Sequence, residues 1–182
     1  MQNNPLHITI FPSHIPGTSS SPPRQAPIRT PLQFSLLLSS TLDIFEARSK
    51  PNSSSGGNLS GDFGLLHAID ERLAAYGFET NTGVRFVVVV DMRGRFVNEV
   101  ASPTGKGPGQ LGPGGLGLRD GEMKPVFKAM QAAYVRLLQN PFYEPDEYTP
   151  PGGRGGKPIT SRRFTADMRR IGEAWSPGLT AF

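Results

Sequence analysis

Four consecutive valines, Val87–Val90, in the stretch "VRFVVVVDM" (84–92) constrain this chain more than any other feature. β-Branched side chains crowd a helix and suit a pleated strand. A strand sends successive side chains to opposite faces, so a run of valines leaves no face to give to water. Residues 84–92 are therefore read as a strand covered on both sides. The rest of the chain must supply two covering layers.

Three stretches have the spacing for that task. From Pro31 to Arg48, the set Phe34, Leu37, Leu38, Thr41, Leu42 and Phe45 predicts a helix, with Pro31 suited to its first turn. Val126, Phe127, Met130, Ala133, Tyr134, Leu137 and Leu138 share one face of a second helix, which Pro141 ends by biasing Asn140 out of helical geometry. Ser161 is placed to cap a third, with Phe164, Met168, Ile171 and Trp175 inside. "LHITIF" (6–11) alternates and predicts a strand. Residues 62–81 are ambiguous. Leu65, Leu66, Ile69, Leu73 and Tyr76 sit at helical spacing and favour a helix; the rival is a hairpin turning near Asp70 and Glu71.

Between these stretches the composition changes. Apolar residues make up only 36% while Gly reaches 22 and Pro 18, so parts of the chain lack the apolar density that offsets ordering entropy. Those parts are 13–31, 49–61, 102–118 and 149–158, read as flexible inserts within a single domain spanning 1–182. The apolar segments between them are each too short to fold alone. The chain has no cysteine, which removes disulfides, thiolate ligands and a thiol nucleophile. No apolar run approaches the ~18–20 residues a bilayer demands. The N-terminus "MQNNPLHITIFP" lacks the basic flank of a signal peptide, so a cytoplasmic protein is expected.

Motifs for chemistry fail on context. Gly112-Pro-Gly-Gly-Leu-Gly117 spells G-x-G-x-x-G, but the preceding strand ends about twenty residues earlier, where a dinucleotide loop must follow it at once. Gly156-Lys157 is followed by Pro158 where a phosphate loop needs a hydroxyl. His7, His14 and His67 lie on separate segments without metal-ligand spacing. Asp70, Glu71 and Asp91 could meet at strand ends, where carboxylates are usually solvated. No enzyme activity and no cofactor or metal are expected, nor is nucleic acid binding, since no aromatic residues interleave with the arginines.

Surfaces are more informative. Arg162, Arg163, Arg169 and Arg170 fall opposite the apolar face of the third helix, which reads as a solvated face or a contact for anionic lipid or an acidic partner. On the first helix, Leu32, Leu36, Asp43 and Ala47 gather on the side away from Phe34, Leu38, Leu42 and Phe45, as a face for a neighbouring subunit would. Asn140-Pro-Phe-Tyr143 matches the NPxY sorting pattern, yet it follows a helix directly and no membrane span accompanies it. It is read as a helix stop, with Phe142 and Tyr143 packing beneath the helix end.

"TLDIFEARSK", "YGFETNTGVRFVVVVD" and "LLQNPFYEP…ITSRRFTADMRRI" together resemble the sedlin family of small subunits of the TRAPP vesicle-tethering complex. The resemblance covers 6–11, 31–48, 62–92 and 121–175. It implies an α+β, longin-like (SNARE-like) fold: a five-stranded antiparallel sheet with one helix on one face and two on the other. It also replaces the helix at 62–81 by two strands, 62–70 and 71–81. The family begins with a strand before the "NNPLHI" turn, so the first strand is expected to be missing from this sequence. The implied role is non-enzymatic, in ER–Golgi and Golgi vesicle traffic. Its partners would be other TRAPP subunits and, through the assembled complex, a Rab GTPase. The alternative of another class is a longin-type regulator that binds a SNARE or GTPase directly.

Overall fold

The computed structural model describes residues 5–15, 24–49, 61–92, 118, 121–143 and 158–175. Within them the chain is α+β. A short ladder joins β1 (Ser13–Ile15) to β2 (Arg24–Ala26), and a three-stranded antiparallel sheet has the order β3 (Asp62–Ala68), β4 (Leu73–Glu79), β5 (Arg85–Asp91). Three helices accompany it: α1 (Pro31–Ser49), α2 (Lys124–Leu138) and α3 (Arg162–Ala174). The β1–β2 ladder lies inside the 13–31 stretch expected as an insert. The G-x-G-x-x-G stretch, Gly156-Lys157 and most of the other three inserts lie outside the described residues.

Residues 62–81 are the strand pair that the resemblance implied, not the helix that local spacing favoured. The turn between them explains why. The Asp70 carboxylate accepts hydrogen bonds from the Arg72 and Leu73 amides, each at 2.7 Å, and the Leu73 carbonyl accepts from Ile69 at 2.9 Å. β4 then pairs with β5 in unbroken register from Leu73↔Asp91 to Glu79↔Arg85. Ladder bonds on both sides of β4 outweigh a propensity difference of a few tenths of a kcal/mol per residue.

Alternation along β4 divides the molecule. Tyr76 and Phe78 face the layer of α2 and α3, where Phe78 stacks on Phe127 with centroids 5.7 Å apart. Phe86, Val90, Val126, Ala133, Leu137, Phe164, Met168 and Ile171 complete this core, and the Phe86, Tyr134 and Phe164 rings meet edge to face. Leu73, Ala75 and Gly77 alternate to the other face, where Phe45 of α1 seats on Gly77 and Leu66. The valine strand is only partly covered: Val90 is buried in the α2–α3 core, while Val87, Val88 and Val89 are half-buried.

One predicted strand is corrected. Residues 6–11 join no ladder among the described residues. The segment lies instead along α3: the Leu6 carbonyl accepts from the Ile159 amide at 2.7 Å, His7 meets Phe164 edge-on at 5.2 Å, and the Phe11 ring lies where a side chain at Gly172 would be. No described neighbour supplies the pairing that would make it a strand, so its alternation does not decide its state. Accordingly the described sheet has three strands, where five were expected.

Helix ends follow their local chemistry. Thr30 and Gln33 form a reciprocal cap for α1: the Thr30 amide donates to the Gln33 side chain at 2.9 Å and the Gln33 amide to the Thr30 hydroxyl at 3.3 Å. Ser161 caps α3 as expected, its hydroxyl accepting from the Phe164 amide.

Candidate functional site

The outer face of α1 is the first candidate. Phe45 is wholly buried at 0% exposure, Phe34, Leu38 and Leu42 are half-buried, and the opposite side is in water. Leu32 is 70% and Leu36 64% exposed, and Asp43 and Ala47 are exposed with them. Ser39 and Ser40, between the leucines and Asp43, turn their hydroxyls back to the Ser35 and Leu37 carbonyls at 3.0 and 2.8 Å. Satisfied in this way, they add small area without donors that still need a partner. The face therefore consists of apolar and self-satisfied groups around the Asp43 and Glu46 carboxylates.

The arginine face of α3 is the second. Arg162, Arg163, Arg169 and Arg170 are all exposed. They are not equivalent. Arg170 donates to buried Asp167 at 2.6 Å, and Arg136 of α2 donates to the other oxygen of the same carboxylate at 3.0 Å. Asp167 thus ties α2 to α3 while offsetting part of the positive charge. Sequence reasoning missed this residue, because its partner Arg136 lies 31 positions away and no spacing rule reaches that far.

The carboxylates at the strand ends are structural. Asp91 receives two hydrogen bonds from the Arg72 guanidinium at 2.7 and 2.8 Å. Asp70 pairs with Arg29 at 2.6 Å. Burial pushes its carboxyl up, but hydrogen bonds from Arg72, Arg29 and Leu73 outweigh that and hold it below its ordinary 3.8. Of the histidines, His7 is packed on Phe164 and His67 is exposed on β3. Among the described residues no three metal-ligating side chains gather, and no helix is long and apolar enough to cross a membrane.

The NPFY stretch is half as expected. α2 ends at Leu138, and Tyr143 packs against the main core. Phe142 does not pack beneath the helix: it is 92% exposed. The Asn140 side-chain oxygen accepts from the Phe142 amide at 3.2 Å and the Asn140 carbonyl from Tyr143 at 3.0 Å, so the turn itself points the ring outward.

An α+β domain with helices on both faces of its sheet, and with leucines on those helices and a phenylalanine on the turn after α2 left in water, offers contact area to other macromolecules. Comparison with known proteins gives that class a family. A family model for sedlin matches residues 1–174, and the chain belongs to the sedlin family. Among its curated relatives are proteins named trafficking protein particle complex subunit 2-like. That of Xenopus tropicalis is 28% identical over 146 residues, 78% of this chain and 79% of that protein. That of Dictyostelium discoideum is 27% identical over 146 residues, 79% and 77% of the two chains. That of Mus musculus is 27% identical over 128 residues, 68% and 74%.

Proposed function

We propose that this chain is a non-enzymatic subunit of a trafficking protein particle (TRAPP) vesicle-tethering complex, acting in ER–Golgi and Golgi transport by protein–protein contact. It works in the cytoplasm at the surface of those membranes, and it influences a Rab GTPase through the assembled complex. Membership of the sedlin family and the names of its relatives support the assignment. The observation that carries the mode of action is the outer face of α1, with Leu32 and Leu36 at 70% and 64% exposure. A neighbouring subunit covers Leu32, Leu36 and Ala47 and supplies a cation or backbone donor to Asp43. The chain is one longin-like domain built on the described three-stranded sheet. The exposed Arg162, Arg163 and Arg169, with Arg170 shared with Asp167, favour an acidic subunit or anionic lipid as a second contact.

Asp43→Tyr tests this reading. Exposed substitutions usually change stability by no more than about 0.5 kcal/mol, whereas a bulky ring wedged into a packed interface costs several. The expected result is an unchanged circular dichroism melt with impaired co-immunoprecipitation of other TRAPP subunits. Normal co-precipitation excludes Asp43 from the interface, and a variant that unfolds shows that Asp43 acts within the fold.

A further inference from the structure

The proposed subunit face lies on α1, and the other helical layer carries its own exposed apolar strip. Val135 and Leu138 are each 44% exposed, and Phe142 is 92% exposed. Positions 135, 138 and 142 follow the i, i+3, i+7 spacing that aligns side chains on one side of a helix. The final member stands on the turn and not on the helix proper. Its display is enforced: Asn140 closes the turn through its side chain, and Tyr143 is held in the core one residue later. Phe142 therefore has no route inward while the turn persists. A turn that anchors one aromatic ring and holds its neighbour in water spends apolar area that the monomer does not use.

The same outward side of α2 is cationic at its beginning. Lys124 and Lys128 are exposed there, and at 100° per residue they lie within about 40° of Val135. From Lys124 through Tyr143 the sequence contains Lys124, Lys128 and Arg136 and no carboxylate. Arg136 already serves Asp167. Charge and apolarity are thus separated along the helix axis: lysines first, then Val135, Leu138 and Phe142 roughly 15 Å further on at 1.5 Å per residue. A membrane-binding patch gathers cations around its inserted apolar side chains, but here they are ranged in line. The layout fits a linear occupant.

We propose that the outer face of α2 is a docking strip for an acidic amphipathic helix of a partner protein. Carboxylates of that helix lie against Lys124 and Lys128, and its apolar residues cover Val135, Leu138 and Phe142. This surface is separate from the α1 face, since the two helices cover opposite sides of the sheet, and loss of one contact leaves the other in place.

The test places a photo-crosslinking phenylalanine analogue at position 142 of the full chain in cells, followed by mapping of the attached peptide. Phe142 contributes no core packing, so the substituted protein should melt as the unaltered one does. The expected product joins residue 142 to a partner segment that carries Asp or Glu within two helical turns of apolar residues. Lys124→Glu combined with Lys128→Glu should cut its yield at least fivefold, and Phe142→Asp should release that partner while Asp43-dependent co-precipitation persists. The proposal is overturned by attachment only to lipid, only to another copy of this chain, or to a segment without carboxylates. A yield that ignores the lysine reversals, or the absence of any product, overturns it equally.

Discussion

Gly77 sits where α1 meets the sheet, and replacing it with alanine should loosen that junction. A Cβ at position 77 would come within 2.5 Å of Phe45 Cζ and 2.8 Å of Leu66 Cγ. Carbon atoms in contact prefer about 3.5–4.0 Å, so roughly 1 Å must be found by movement of these side chains. Neither has free space. Phe45 is wholly buried, meets Phe63 edge-on at 5.0 Å and lies under the Arg85 guanidinium at 5.3 Å; Leu66 is buried beside it. Overpacking of this kind costs about 1–3 kcal/mol. Alanine recovers ~0.5–1 kcal/mol, because glycine in a strand loses more backbone freedom on folding. The net loss is therefore about 0–2.5 kcal/mol, centred near ~1 kcal/mol. At about 4 °C per kcal/mol for a domain of this size, Tm should fall by roughly 4 °C. Differential scanning calorimetry measures the shift. Phe45→Leu removes the ring that the new methyl strikes, so the double variant should be more stable than the two single losses predict, by at least ~0.5 kcal/mol. A Gly77→Ala protein that melts at or above the original temperature, or strict additivity in the double variant, refutes the packing argument.

Arg48 binds carbonyls of β3, which is an edge strand among the described residues. Its guanidinium donates to the Phe63, Leu65 and Leu66 carbonyls at 3.1, 2.8 and 3.3 Å. Arg48→Ala should cost about 1 kcal/mol, and by uncovering edge carbonyls should produce concentration-dependent association in analytical ultracentrifugation; a variant that stays monomeric at every concentration contradicts this role. His7 should make the N-terminal segment sensitive to acid. Burial lowers its pKa below the ordinary 6.5, partly opposed by a hydrogen bond with the Ile159 backbone. The unfolded chain then takes up the proton first, so stability is complete above about 6.5 and declines as pH falls from there toward the lower folded value. Thermal melts from pH 7.5 to 5.5 should fall more steeply for the native chain than for His7→Gln, and parallel slopes would remove His7 as the cause.

The helices were legible because each carries its information locally. Spacing gave the inner faces of α1, α2 and α3 except at Leu138, which was expected inside and is 44% exposed, and Ser161 and Pro141 marked where α3 begins and α2 ends. The outer face of α1 followed from the same 100° rotation, and Leu32, Leu36, Asp43 and Ala47 are indeed in water. The valine run required a strand, and β5 is one, with Val90 buried and Val87, Val88 and Val89 half-buried rather than covered on both sides. Other features depended on partners remote in the chain. Local preference in 62–81 pointed to a helix, and only the ladder with 85–91 makes β4 the middle of a sheet. Residues 6–11 alternate like a strand, yet His7 and Phe11 lie against α3 instead. Asp167 and Arg136 meet across 31 positions, and Phe142 is turned outward by Asn140 while Tyr143 is held in the core. Helix spacing and caps reflect geometry within a few residues and can be read along the chain. Strand pairing, ion pairs between helices and the exposure of one ring depend on which surfaces meet once distant segments are brought together.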